Sequence, residues 1–355
     1  MVEQVCQLRR DHPSWGAELI RVILRDQQHV TTLPCARTLR RHLQRAGLSP
    51  APAGRPPGLP HPQVPRADQP HAGWQTDAAE EIRLHSGQRV CWLRVVDECS
   101  GAFLSTVVFP SARWENVERH AIQESLRDTF GRWGLPQRLR VDNGYPWGST
   151  GELPPELALW LIGLGIELVW IPPGCPQDNG VVERSQGVGQ QWAEPHACGD
   201  AAELQRRCDA MDRLQREAYP YADGRSRAAT YPQLRHSGRP YRRGSEKKHW
   251  SLEAVLRAVA GVVVVRRVDR QGCVSLYNRT RYVGKQHAGS QVYVSVDSSG
   301  PTWVFAAADG TQLRSMVADE FTAERIRGLS VGARRSRDKR AEAPRPAGGH
   351  GRSEG

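Results

Sequence analysis

Residues 49–70 read SPAPAGRPPGLPHPQVPRADQP. Proline fixes φ and removes a backbone donor, so a stretch this dense in it enters neither a helix interior nor a central strand. It predicts a semi-rigid extended linker, and it obliges the chain to build structure separately on either side. With 355 residues, two or three domains are expected.

Before the linker, SWGAELIRVILRD (14–26) places Leu19, Ile20, Ile23 and Leu24 at helical spacing, and CARTLRRHLQRAGL (35–48) does the same with Leu39, Leu43 and Leu48. Gly47 supplies a C-cap. Arg37, Arg40, Arg41 and Arg45 fall on the outer face of the second helix. Over 1–48 this predicts a helix-turn-helix-like DNA-binding segment whose second helix enters the major groove. A basic hairpin that merely packs fits the same pattern.

After the linker, 74–84, 89–98 and 101–109 read as three consecutive strands, hence an antiparallel meander. An amphipathic helix (115–134) ends at Gly134 and Pro136. A strand (137–142), an apolar helix (155–165), a strand (166–171) and a helix after the break PPGCPQDNG follow. The order βββαβαβα predicts an α/β domain with a mixed sheet over 71–220, closed by a helix at 201–218. Residues 221–260 read as a basic connector. Between 261 and 318, GVVVVRRV, CVSLYNRTRYVG, QVYVSVD and TWVFAAA predict a small β-barrel, and 319–355 reads as a mostly disordered basic tail.

The net charge of +11 is unevenly spread: 1–50, 239–287 and 331–355 are basic, whereas 51–238 is slightly acidic. Basic flanks suit a polyanion, whose condensed counterions they release, and the acidic middle offers carboxylates for metal. No apolar run approaches the roughly 20 residues of a membrane span, and the start lacks a secretory segment, so a soluble intracellular protein is expected. The eight cysteines are scattered without CxxC spacing, which predicts reduced thiols and no zinc site.

Three acids stand at structural breaks. Asp77 lies inside the first strand, Asp142 ends the fourth just before Asn143-Gly144, and Glu183 lies in the first turns of the helix after the Pro-rich break. In the inferred topology the first and fourth strands are neighbours, so the three can converge. Convergent carboxylates without basic partners repel one another unless a hard cation sits among them; Mg2+ takes oxygen ligands, and two such ions clamp the attacking and leaving oxygens of a phosphoryl displacement. Each acid alone has an ordinary reading: turn chemistry for Asp142, an edge gatekeeper for Asp77, dipole complementation for Glu183. Asp97 and Asp178 are competing candidates.

WQTD, RVDNG and PQDNGVVERSQG, in this order and in these elements, resemble the catalytic core of the DDE transposases and retroviral-type integrases, most closely the bacterial insertion-sequence branch. The resemblance covers roughly 70–240. It implies an RNase H-like fold flanked by a helix-turn-helix and an SH3-like barrel, with Asp77, Asp142 and Glu183 as the catalytic, metal-holding triad. It further implies Mg2+ or Mn2+, two ions per site, and DNA cleavage and strand transfer at the ends of a mobile element without a covalent protein–DNA intermediate. Asn179 and Gly180 would cap the third acid's helix and permit close approach, and Arg184 would touch a phosphate. Arg266, Arg267, Arg270, Arg279, Arg281 and Lys285 would hold duplex DNA on the barrel. Homo-oligomers on double-stranded DNA in a bacterial cytoplasm, at the nucleoid, complete the expectation. The spacing from Asp142 to Glu183 is longer than the family's habit, with YPWGSTGELPPE (145–156) as the insertion. The retroviral His/His/Cys/Cys zinc module has no counterpart, and fewer helix-turn-helix units stand at the start than insertion-sequence relatives carry, as in a shortened amino terminus. Two rivals remain: an inactive or domesticated relative that only binds DNA, and a same-fold nuclease acting on RNA–DNA hybrids.

Overall fold

The computed structural model describes residues 1–49, 66–148, 153–172 and 176–332. Three helices, α1 (Val2–Asp11), α2 (Ala17–Asp26) and α3 (Ala36–Arg45), come first. The central domain then runs β1 (Gly73–Arg83), β2 (Arg89–Asp97), β3 (Phe103–Phe109), α4 (Arg119–Trp133), β4 (Arg138–Val141), α5 (Glu156–Gly163), β5 (Glu167–Trp170), α6 (Gly180–Ala193) and α7 (Ala201–Glu217). This is the expected order, and the sheet is mixed, with strand order β3-β2-β1-β4-β5. β1, β2 and β3 pair antiparallel, while β4 pairs parallel to both β1 and β5.

Period-2 alternation sorts the side chains of β1 onto two faces. Trp74 faces α4 and α5, stacking on Phe130 with ring centroids 6.0 Å apart, and lies in one cluster with Leu93, Leu139, Val141 and Trp160. Gln75 and Asp77 face the opposite way, under α6.

Segment 221–260 corrects the connector expectation. It forms α8 (Arg227–Thr230), α9 (Glu246–His249) and α10 (Leu252–Ala260), and it buries Tyr241, Trp250, Val255, Leu256 and Val259 in the central cluster. The Trp250 indole donates to the Trp160 carbonyl (2.9 Å) and lies where a Cβ on Gly163 would sit, 2.0 Å away. The helical apolar period of WSLEAVLRAVA outweighs the basic charge around it.

The barrel expectation is corrected as well. Strands β6 (Val264–Arg267), β9 (Gln291–Asp297), β10 (Thr302–Ala306) and β11 (Gln312–Val317) form one sheet in the order β11-β10-β9-β6. The hairpin of β7 (Cys273–Leu276) and β8 (Arg279–Tyr282) pairs only with itself, so the described residues form no closed barrel. Val264, Val292, Val294, Trp303 and Phe305 are buried in the same cluster as α10, so a helix covers this face instead of barrel closure. Nor is the described part of the tail loose: α11 (Ala323–Arg327) follows, and Phe321, Ile326, Leu329 and Val331 are buried. Residues 333–355 lie outside the described residues.

At the other end, α1 is an addition to the two helices expected. All three helices share a core with Trp192, Met211 and Leu214 of α6 and α7, so they are docked on the central domain. Trp15 stacks on His12 (3.6 Å between centroids) and its indole donates to the Trp192 carbonyl (3.1 Å). His12 Nδ1 meets Glu194 Oε2 at 2.6 Å, and Ser14 Oγ donates to the Gln191 carbonyl at 2.6 Å. The connection 27–35 between α2 and α3 is longer than the tight turn of a helix-turn-helix. Most of the Pro-rich run, 50–65, lies outside the described residues. No helix among the described residues is long and apolar enough to cross a membrane.

Candidate active site

Register and parity bring two of the acids together. Gln75 of β1 is the partner of Arg140 of β4, the last paired position of that parallel ladder. Two residues further on, Asp77 and Asp142 occupy corresponding places on the same face. Asp142 lies just past β4, where the nearby Gly144 N–H favours its charged form. The loop behind it is pinned by Trp114, whose indole donates to the Tyr145 carbonyl (2.8 Å), and by Tyr145, whose hydroxyl donates to the Val117 carbonyl (2.6 Å).

The third acid arrives on α6, whose start is held from across the sheet. Gln75 Oε1 accepts from the Val181 and Val182 N–H groups at 3.2 and 3.1 Å, which satisfies two first-turn donors. Its Nε2 donates to Glu98 Oε1 (3.0 Å) and to the Asp178 carbonyl (3.3 Å). Asn179 does occupy the N-cap position, but its side chain makes no cap bond and its buried Oδ1 has no partner. The capping expected of Asn179 is done by Gln75. Nearly two turns into α6, Gln186 donates to the Asp77 carbonyl (3.1 Å) and to Asp77 Oδ2 (3.3 Å), while accepting from the Trp92 indole at 2.6 Å. Glu183, between these anchors, is exposed. Gln75→Leu removes the acceptor of both α6 amides and one of the donors to Glu98. It is expected to cost about 1–3 kcal/mol and to speed amide hydrogen exchange at Val181 and Val182 more than in β5.

The electrostatics are those of crowded, uncompensated acids. Burial raises the Asp77 carboxyl to about 6; the Gln186 bond opposes the rise, and the charges of Asp142 and Glu183 add to it. Loss of hydration also lifts Asp142, against the Gly144 N–H, and Glu183, although both remain solvent-exposed. No cation offsets Asp77, although two arginines belong to the same sheet face. Arg94 is Asp77's partner across β1–β2. Its guanidinium is buried under α6, donating to the Ser185 carbonyl (2.6 Å) and lying 3.7 Å from buried Asp212. A Cβ on Gly189 would sit 2.2 Å from its nitrogens, so this glycine makes the room. Arg140, two residues before Asp142, is held at 3.1 Å by buried Glu98. Both nearby cations are withdrawn into buried pairs, and Asp77 feels the charges of Asp142 and Glu183 without a counter-charge. Such a donor set fits a hard divalent cation. Among the described residues, no three His, Cys, Asp or Glu side chains are gathered tightly enough to hold an ion as they stand.

The competing acids have structural work. Asp97 is buried and accepts from the His71 N–H (2.6 Å) and from the Ser100 N–H and hydroxyl (2.8 and 2.6 Å). Asp178 contributes its backbone carbonyl. Of the arginines expected on DNA, Arg37, Arg40, Arg41 and Arg45 are exposed along α3 and Arg184 is exposed on α6. Arg267, Arg270 and Lys285 are exposed, with Arg267 Nε donating to the Gly289 carbonyl (3.3 Å); Arg266 is half-buried and donates to the Val265 carbonyl (2.9 Å). Arg279 and Arg281 are committed inside the protein. Both pair with Asp319 (2.8 and 2.6 Å), and Arg281 also pairs with buried Glu320. Burial alone would raise Asp319, yet the two arginines hold it at about 2. Gln75, Gln186, Arg94, Glu98, Arg140 and Asp212 are supporting residues absent from the sequence expectations. Three of them carry a positional signal: Gln75 and Arg140 each stand two residues before an acid on a strand, and Gln186 stands one turn after Glu183.

No family model matches the chain. Among solved structures it is similar to the HTLV-2 integrase catalytic core domain in complex with magnesium, at a TM-score of 0.35 and 17% identity, covering 47% of this chain and 98% of that one. It is similar to a chain of the simian T-cell lymphotropic virus intasome in complex with a PP2A regulatory subunit, at 0.40 and 15%, covering 87% and 95%. It is also similar to the BIV integrase catalytic core domain, at 0.35 and 16%, covering 46% and 95%.

Proposed function

We propose that this protein is a divalent-metal-dependent polynucleotidyl transferase, a transposase or integrase that cuts the ends of a mobile element and joins them to target DNA. One observation supports the reading: the charges of Asp142 and Glu183 both act on buried Asp77, and the two neighbouring arginines are locked in buried pairs. These three carboxylates would hold Mg2+ or Mn2+, two ions in the full site. Bound there, the metal supplies Lewis-acid stabilisation of phosphoryl oxygens and a stronger oxygen nucleophile.

The chain's own residues prepare that site. Gln186, oriented by Trp92, fixes one Asp77 oxygen and leaves the other open. Gln75 sets the start of α6 and hence the height of Glu183 above the sheet. The Gly144 N–H favours the charged form of Asp142. Gly180 has open space where a side chain would project, so a DNA backbone can approach the helix start. Near neutral pH Asp77 is ionised, and below about 6 it holds a proton in place of a ligand. The exposed arginines of α3 supply phosphate contacts, and assembly of at least two copies on DNA would pair two element ends.

Nicking of a duplex oligonucleotide bearing the element end, with Mg2+ or Mn2+, tests the reading. Glu183→Gln is expected to lose at least about a hundredfold in rate with unchanged DNA affinity. Equal rates for wild type and variant contradict it. Binding without cleavage by either protein identifies a DNA-binding relative only, and cleavage restricted to RNA–DNA hybrids identifies a nuclease.

A further inference from the structure

The five-stranded sheet ends on β5 at one side and on β3 at the other. An edge strand presents backbone groups that can pair with another chain. β5 is only four residues long and begins on exposed Glu167. β3 is the greater hazard. Its seven residues, FLSTVVF, hold no charge, no proline and no glycine, the composition of segments that pair with copies of themselves.

That edge is closed, but by a helix. Gln205 of α7 donates through Nε2 to the Thr106 carbonyl (2.7 Å) and accepts at Oε1 from the Val108 N–H (2.7 Å). Gln215 repeats the pattern near the other end. Its Nε2 donates to the Gly101 carbonyl (2.9 Å), just ahead of the strand, and its Oε1 accepts from the Phe103 N–H (3.1 Å). Each side-chain amide serves one carbonyl and the N–H of the second residue after it, so it stands in for one residue of a sixth strand. The spacing fits this role. Ten residues of helix rise about 15 Å, and the five residues from Phe103 to Val108 span about 17 Å of strand. Arg216 adds a bond to the Phe103 carbonyl.

Both glutamines are held in place. Gln205 gives its second amide proton to Asp209 Oδ1 (2.9 Å), one turn along α7, and Gln215 is buried. α7 itself is anchored by buried Leu204, Cys208, Met211 and Leu214, and capped by Asp200, which accepts from the Glu203 N–H (2.7 Å).

We infer that α7 is a surrogate strand that keeps β3 from pairing with β3 of a second copy. Pairing of this strand with itself about a two-fold axis is a closed, self-complementary contact, so the partner excluded is this chain. The guard is independent of the proposed chemistry.

Light scattering after size exclusion of the full chain, over a range of protein concentrations, tests this together with amide hydrogen exchange. Gln205→Met with Gln215→Met keeps the helix propensity of α7 and removes both surrogate amides. The double variant is expected to form a species of about twice the wild-type mass as concentration rises. In dilute solution its Phe103 and Val108 amides should exchange at least about fivefold faster than in the wild type, and association should slow them again. Gln233→Met, at an exposed position after α8, should match the wild type. A double variant with the wild-type mass at every concentration overturns the inference, and so does association that leaves Phe103 and Val108 unprotected. Should the double variant melt well below the wild type, Gln205→Met alone is read at Val108 by the same criteria. Association with renewed protection there supports the guard, and an unchanged mass overturns it.

Discussion

Asp77→Asn is expected to lose metal-dependent nicking by at least about a thousandfold and yet to melt a few degrees above the wild type at pH 8. The loss follows from removing the acid that both Gln186 and the sheet register hold in place. The gain follows from the sign of its shift. Burial and two neighbouring acids raise Asp77 from an ordinary 3.8 to about 6 in the folded chain. A carboxyl raised on folding contributes stability that is complete below its unfolded value and is lost as pH climbs through its folded value. At pH 8 the wild type carries the whole cost, on the order of 1–3 kcal/mol after allowing for solvent. The neutral amide removes that cost while its oxygen still accepts from Gln186. Melting curves of the two proteins should therefore converge towards pH 4, part as pH rises from there to about 6, and stay apart above it. A variant that is less stable at every pH would show that Asp77 is not held under strain.

The second large effect lies in the pair that keeps Arg94 away from Asp77. Asp212→Ala should destabilise the chain by about 3–5 kcal/mol, because it leaves a buried guanidinium without its counter-charge. Burial pushes Asp212 up and Arg94 down against their mutual attraction, and neither Arg94 Nε nor Asp212 Oδ1 finds a hydrogen-bond partner. The pair is thus a means of placement more than a source of stability. Removing both charges together, as Arg94→Met with Asp212→Leu, should recover much of the loss in chemical denaturation. If Asp212→Ala alone leaves the midpoint unchanged, the pair does not carry the placement assigned to it.

The central domain was legible in the sequence because its signals are local. Gly134 and Pro136 end α4, period-2 alternation marks β1 to β3, and the apolar run of 155–165 marks α5. The acids drew notice for local reasons too: a charge inside β1 at Asp77, a strand end at Asp142 and a helix start near Glu183. What surrounds them was not legible, since it depends on register. Nothing in the string WQTD says that Gln75 faces Arg140 across a parallel ladder, or that it caps α6 in place of Asn179. Nothing local says that Arg279 and Arg281 meet Asp319 and Glu320, some forty residues away. Segment 221–260 is obscured for a different reason: its basic charge overlies the helical apolar period that carries Trp250 and Val255 into the core. The β-barrel failed because short strands announce pairing but not closure, which the self-paired β7–β8 hairpin forgoes.

Mn2+ titrated against thermal melting at pH 8, without DNA, tests most directly whether the three acids form a cation site. The wild type should gain stability with rising Mn2+, by about 2.7 kcal/mol at a hundredfold excess over the dissociation constant. Asp77→Asn, Asp142→Asn and Glu183→Gln should each gain distinctly less at the same concentrations. Equal gains in all four proteins would contradict the account.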